Sequence, residues 1–320
     1  MNATARLVTT ADELEEGLFG QVFLYIFEVL PYLDRHNVRP DWRIHARHYG
    51  GEEQTVIPGV LDLAYIPGPV SRDVALAELR RRHCAQLGND WSDLHRIWTR
   101  FFRLPQAVES RAEGVGPLND ALGVHYRGTD KLTADWDTNP VAAEDMIAII
   151  ADFLGRRPDL TRIFLATDDR NFPAKLRSAV GCDVINLGEV SFHKAEDRIS
   201  SDLEGATRAL LDSVLLSRCG AVLKTSSALS GFAKIFNPQL EIYRCAASKR
   251  FADIPYFPVA YIPPYQSEDA AVQAILTRLM RDDWQQSDPT PPRRFTARAR
   301  RPYRTLAWKM VEAVAGSPIR

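Results

Sequence analysis

Leu122-Gly123-Val124-His125-Tyr126-Arg127-Gly128-Thr129-Asp130-Lys131 places a short apolar run directly before a cluster of ionisable side chains. The run around Val124 predicts a brief buried strand, and the polar residues from Arg127 begin where such a strand would leave its sheet. In open α/β sheets, ligands collect at the carboxyl ends of strands. Arg127 offers a planar fork of donors to a pair of phosphate oxygens, whereas Lys131 adds a point charge. Together they suggest a diphosphate seat. Asp130 and Asp135 carry the opposite sign in the same loop, which suits them to orienting Arg127 or to facing a hydroxyl substrate. On composition alone, a charged surface loop whose ions pair with one another is the commoner outcome.

The chain around this stretch alternates short apolar strands with helical patterns. Strands are predicted at Leu122 to Tyr126, Arg162 to Ala166, Asp183 to Leu187, Ala221 to Lys224 and Glu241 to Tyr243. Helices are predicted at Val141 to Leu154, near Phe172 to Val180, at Leu203 to Arg218 and at Ala228 to Phe236. That order predicts a parallel, doubly wound sheet.

Further toward the N-terminus, Arg6 to Thr9 reads as a strand and Asp12 to Glu16 as an acidic turn. Gly17-Leu18-Phe19-Gly20-Gln21-Val22 opens a helix running to about Leu33, with Phe23, Phe27 and Leu30 on its inner face. Trp42 to His48 and Val56 to Ile66 read as short strands, and Val74 to Leu87 and Asp90 to Phe102 as helices, the second capped by Asn89 or Asp90. Trp91, Leu94, Trp98 and Phe101 or Phe102 form a stripe that belongs to the core rather than to a sugar platform. Glu109 to Leu118, rich in Gly and charge, reads as an interdomain link.

The 320 residues suffice for two domains with a sizeable core. We divide them into an N-terminal α/β domain (1–117), a Rossmann-like domain (118–286) and a basic Pro- and Arg-rich tail (287–320). Cys84, Cys182, Cys219 and Cys245 are scattered without a CxxC, which points to neither a zinc site nor a redox pair. No run of eighteen apolar residues and no signal-like N-terminal segment is present, so the expectation is a cytoplasmic protein.

The net charge of -1 hides an asymmetry. From Pro289 onward, Arg293, Arg294, Arg298, Arg300, Arg301, Arg304, Lys309 and Arg320 stand against the single acid Glu312. Leu306 to Val314 reads as a short amphipathic helix with Trp308, suited either to peripheral contact with an anionic membrane face or to packing back on the body. No nucleic-acid module accompanies these arginines, and no nucleic-acid partner is expected.

The segment His125 to Lys131 resembles the first signature of the α-1,6-fucosyltransferases and their relatives, which include the nodulation fucosyltransferases and the protein O-fucosyltransferases. Ile163-Phe164-Leu165-Ala166-Thr167-Asp168-Asp169 looks like the second signature, and Leu211-Asp212 through Ser226-Ser227 like the third. The resemblance spans about Leu122 to Pro238, with a weaker echo at Gly17 to Val22. It implies a GT-B-like architecture, two Rossmann-like α/β domains facing across a cleft. It also implies an inverting transfer of fucose from GDP-fucose to a glycan or lipid-linked glycan hydroxyl, with no metal and no cofactor.

Under that resemblance Arg127 meets the leaving diphosphate, and Asp135, where relatives carry Glu, is the candidate base for the acceptor hydroxyl. His125 and Asp212 are associated with guanine, whose two adjacent donors suit one carboxylate. Asp130, Lys131, Asp168, Asp169, Thr225, Ser226 and Ser227 complete the donor site. Gly128 departs from the pattern, since many relatives have a second Arg there. Other readings stand beside these: a metal on Asp168 and Asp169, helix capping by Asp169 and Ser227, a solvent-facing Asp212, another GDP-sugar, and a GDP-sugar-binding protein without turnover.

Overall fold

A computed structural model describes residues 4–9, 17–85, 87–128, 138–187, 203–247 and 258–281. The first unit holds a parallel sheet of β1 (Thr4–Val8), β2 (Asp41–Arg43) and β4 (Val70–Ala75) in the order β2-β1-β4. A second small pair, β3 (Asp62–Leu63) and β5 (Phe102–Arg103), is antiparallel. Around them lie α1 (Leu24–Arg35), α2 (Leu76–His83), α3 (Trp91–Phe101) and α4 (Gln106–Gly114).

The second unit is built on β6 (Ala121–Tyr126), β7 (Arg162–Thr167), β8 (Asp183–Ile185), β9 (Ala221–Lys224) and β10 (Glu241–Arg244). All pairings are parallel, in the order β10-β9-β6-β7-β8. The connecting helices are α5 (Ala143–Arg156), α6 (Phe172–Ala179), α7 (Glu204–Ser217) and α8 (Ala228–Phe236), with α9 (Ala270–Leu279) packed against α5. The chain moves outward from β6 in one direction through β7 and β8, then returns to start β9 on the other side of β6. That reversal between β6 and β9 is the topological switch point of a doubly wound sheet. The α/β class, the two parallel units and the doubly wound second sheet of a GT-B-like architecture are all present.

Two apolar cores explain which face each helix covers. On one side of the second sheet, Met146, Ile149 and Phe153 of α5 and Leu176 of α6 pack on Leu122, Val124 and Leu223. On the other, α7 and α8 lie between that sheet and the helices of the first unit. Helix α7 is buried nearly all round from Ala209 to Ser217, as a helix enclosed on both sides must be. Phe232 of α8 stands 5.2 Å from Phe19, 5.7 Å from Phe23, 5.6 Å from Phe27 and 5.9 Å from Trp98, centroid to centroid. Aromatic contacts of this kind add about 0.5–1.5 kcal/mol each beyond area burial. They join the two units through one continuous core.

The stripe of α3 is core, as its spacing predicts: Leu94, Trp98, Phe101 and Phe102 are buried, with Ile97 beside them, and Trp91 packs on the core partly buried. Asp90 caps the helix by accepting from Asp93 N at 3.0 Å. Three expectations are corrected. Most of the segment assigned to a link, from Glu109 on, continues helix α4, because Val108 and Ala112 bury a face against α7. Val74 and Ala75 end strand β4, where pairing with Leu7 and Val8 outweighs their place in a helical pattern. The helix from Gly17 begins as a π-helical turn, Leu18–Phe23, whose Val22 N bonds Gly17 O at 3.0 Å. The acidic turn at Asp12 to Glu16 and the tail from 287 lie outside the described residues. No helix among the described residues is long and apolar enough to cross a membrane.

Candidate donor site at the switch point

Strand β6 is buried along its whole length and delivers His125, Tyr126 and Arg127 to the switch point. Tyr126 points to the α5–α6 side, where it stacks on Phe172 at 4.0 Å and donates to Val141 O at 3.0 Å. With a strand period of two, His125 takes the opposite side, toward α8.

Arg127 is the centre of the arrangement. Its Nε lies 2.6 Å from Asp168 Oδ2, with the Asp168 side chain 3% exposed and that of Arg127 18% exposed. The second oxygen of Asp168 accepts from Gly128 N at 2.8 Å. One carboxylate therefore fixes both the guanidinium and the backbone that follows it. From the neighbouring strand, Thr225 Oγ1 accepts from Arg127 N at 3.0 Å, and Thr225 N donates to His125 O at 3.0 Å. The end of β6 is stitched to β7 and β9 at once, so the cation is preorganised rather than waving in a loop.

Asp169 has a different task. Its Oδ1 accepts from Asn171 N at 2.8 Å, an Asx turn that leads the chain into α6. The two adjacent acids thus point apart, as consecutive residues leaving a strand tend to. Among the described residues no three His, Cys, Asp or Glu side chains gather as a metal-holding cluster.

Gly128 stands where a side chain would collide. A Cβ there would lie 2.5 Å from Tyr126 Cε1 and 2.9 Å from Asp169 Cβ. The glycine at 128 thus has a local steric reason: this backbone runs against the Tyr126 ring. The cation at the end of this strand is Arg127.

Lys224, Thr225, Ser226 and Ser227 are all buried at the end of β9 and the start of α8. Ser227 caps α8, its Oγ accepting from Leu229 N at 3.3 Å. Capping and anion binding use the same helix end, and Thr225 and Ser226 lie just before it. Gly20 of the N-terminal turn reaches the same place: a Cβ on it would lie 3.9 Å from Ala228 Cβ. Gln21 is spent on the turn itself, its Oε1 accepting from Gly17 N at 2.5 Å.

His125 is buried, with Nδ1 2.8 Å from Ser230 Oγ. Burial, reinforced by the nearby Arg127 and Lys224 cations, holds its pKa well below the usual imidazole value. It is a neutral ring at physiological pH. Asp212 lies on α7, buried, with Arg208 Nε 3.8 Å from its Oδ1. The solvent-facing alternative for Asp212 is excluded by its 5% exposure.

Two site residues escaped the sequence reading. Tyr49 comes from the first unit, in a loop closed by bridges between Ile44 and Ile57 and between Ala46 and Gly51. It is buried against the start of α7, where a Cβ on Gly205 would touch its ring at 3.7 Å. Burial raises its phenol pKa, and the Arg127 guanidinium is near enough to oppose part of the rise. A lone Tyr between a histidine and two glycines gave no signal of that meeting. Ser230 is the other, and its helical position conceals a polar role. Thr129, Asp130, Lys131 and Asp135 lie outside the described residues.

No family model and no curated protein matches the chain. Among solved structures it is similar to the GDP complex of an Arabidopsis thaliana FUT1 mutant, with a TM-score of 0.43 and 11% identity over 77% of this chain and 71% of that one. It is similar also to POFUT1 in its apo form, with a TM-score of 0.44 and 9% identity over 76% of this chain and 98% of that one. POFUT1 in complex with GDP-fucose gives a TM-score of 0.38 and 11% identity over 75% and 73%. All three scores fall below one half.

Proposed function

We propose that the protein is a glycosyltransferase that moves fucose from GDP-fucose to a hydroxyl of a glycan or lipid-linked glycan, with inversion and without a metal. The observation that carries this reading is the Arg127 guanidinium, fixed by Asp168 at the switch point beside Thr225 and the start of α8. Breaking the bond between the sugar and the diphosphate develops negative charge on the leaving phosphate. A cation already in place there stabilises that charge without reorganising.

In this reading Arg127 is the catalytic cation. Thr225, Ser226 and Ser227, with Lys131, complete the phosphate seat, and Asp130 orients Arg127. Asp168 holds Arg127, Asp169 shapes the turn beside it, and His125 and Asp212 take the nucleoside side. The acceptor oxygen attacks the anomeric carbon as the bond to the diphosphate breaks, and Asp135 takes the hydroxyl proton. A single displacement of that kind inverts the anomeric configuration.

The test is a thermal-shift titration with GDP, UDP, GDP-fucose and GDP-mannose, each with and without EDTA, since a ligand that binds the native state raises its melting temperature. The expected result is stabilisation by the guanine compounds, unchanged by EDTA, followed by fucose transfer in an acceptor screen. Preference for UDP, or a shift abolished by EDTA, would overturn the reading.

A further inference from the structure

Ile66 and Val70 are the exposed large apolar side chains among the described residues, at 96% and 37%, and both belong to the loop Tyr65-Ile66-Pro67-Gly68-Pro69-Val70. A lone exposed isoleucine is ordinary. This one sits on a fixed mount. Two prolines stiffen the loop, and Tyr65 ties down its root: the hydroxyl donates to Pro40 O at 2.7 Å and accepts from Trp42 Nε1 at 2.9 Å. Arg39 lies over the Tyr65 ring, 5.2 Å from its centroid.

Around that mount the ends of three helices gather. The pairs Glu28–Arg80 and Tyr32–His83 advance together along α1 and α2, so these helices run parallel and finish side by side. Arg100, in the last turn of α3, pairs with Asp34 at the end of α1, and its carbonyl oxygen accepts from Arg39 Nη1 at 3.2 Å. Cations favour helix C-termini, and all three ends carry arginines. The acids there are matched: Asp34 by Arg96 and Arg100, Glu78 by Arg82, and Asp62 by Arg103. Arg35, Arg39 and Arg81 are exposed and have no acid partner among the described residues.

The result is a stiff apolar tip beside surplus positive charge, at the end of α1 that lies away from the donor site. Gly20, just before α1, is the residue that reaches Ala228 at that site, and the helix then carries the chain about 18 Å onward.

We infer that this end of the first unit docks on an anionic membrane face, with Ile66 entering the acyl boundary and Arg35, Arg39 and Arg81 meeting lipid headgroups. A projecting tip has the wrong shape to hold a peptide, which needs a groove, and nucleic acid offers an aliphatic side chain no apolar layer. A membrane supplies negative charge with an apolar layer beneath it. The contact uses no residue of the basic tail, and it stands whether or not the ligand of the donor site is a GDP-sugar.

The test is cosedimentation of the full-length protein with phosphatidylcholine vesicles, with and without phosphatidylserine. Partitioning onto the phosphatidylserine vesicles should weaken roughly fivefold per arginine in Arg35→Gln/Arg81→Gln, and about tenfold in Ile66→Ser. Every variant keeps the tail, so the tail's own attraction is common to all. Lys175→Gln, which removes an exposed charge from the second unit, should partition as the wild type does. Melting temperatures should match the wild type throughout, since each substituted side chain is exposed. Wild-type partitioning by both the arginine variant and Ile66→Ser overturns the inference and leaves membrane contact to the tail. Equal partitioning onto the two kinds of vesicle, or none by the wild type, overturns it as well.

Discussion

At its carboxyl end the five-stranded sheet pairs Arg127 with Asp168, and at its amino end it pairs Arg162 with Asp120. Both pairs link β6 or its flank to β7, and both have an Arg Nε within 2.9 Å of a carboxylate oxygen. Their surroundings differ. Asp120 is 40% exposed and Arg162 26%, whereas Asp168 is 3% exposed. The Arg162 guanidinium holds the Asp120 carboxyl below its ordinary pKa, but water competes for both. At the carboxyl end, backbone N–H groups and hydroxyls surround the pair, and the polarity of parallel strands puts the helix starts there. The same two residue types make a surface staple at one end and a preorganised cation at the other.

The sharpest way to break that comparison is to remove each arginine in turn. Arg127→Ala should reduce transfer by roughly 10²–10³-fold, the cost of losing one preorganised donor. It also leaves Asp168 buried with a lost partner, which costs about 3–5 kcal/mol of stability. The Arg127→Ala/Asp168→Asn double variant should recover part of that stability and none of the turnover. Arg162→Ala should change stability by about 1 kcal/mol or less and leave transfer intact. Chemical denaturation and a single-turnover assay read both quantities. Equal turnover losses at the two ends would remove the distinction.

The glycines sharpen the same contrast. Gly128→Ala forces a Cβ to within 2.5 Å of Tyr126 Cε1, so the strand end must shift against a stacked aromatic pair. An overpacking cost of about 1–3 kcal/mol is expected, with weaker GDP binding, because Arg127 is the adjacent residue. Gly181, in the turn before β8, has nothing within 4 Å of its would-be Cβ. Gly181→Ala should therefore leave melting temperature and GDP affinity unchanged within error.

These contrasts also show what was legible in the sequence. The strand–helix alternation from Ala121 onward, the cap at Asp90 and the core stripe of α3 are local patterns, and local patterns survive in the fold. Arg127 and Asp168 each stood out as charges leaving an apolar strand. Their pairing is not local, because 40 residues separate Gly128 from the aspartate that holds it. The link read at Glu109 to Leu118 failed for a related reason. Gly114 and the charges look like a breaker, while the face formed by Val108 and Ala112 matters only once α7 is there to receive it. Ser230 was hidden because a serine in an apolar helix looks like a tolerated residue until its neighbour is known to be a buried histidine.

Among the substitutions expected to weaken binding, Tyr49 gives a small and specific effect, because it brings a side chain of the first unit to a candidate site built mainly from the second. Its ring packs at Gly205, at the start of α7, and burial keeps its hydroxyl protonated. A protonated phenol near Arg127 can donate to the same anionic oxygens that the guanidinium attracts. Tyr49→Phe keeps the ring and removes that donor, so GDP affinity should fall by about threefold to tenfold while guanosine affinity stays level. Calorimetric titration of both ligands separates this from a general loosening of the loop, which would weaken the two together. If GDP binding is unchanged, the tyrosine serves only to pack the loop against α7, and the phosphate seat belongs wholly to the second unit.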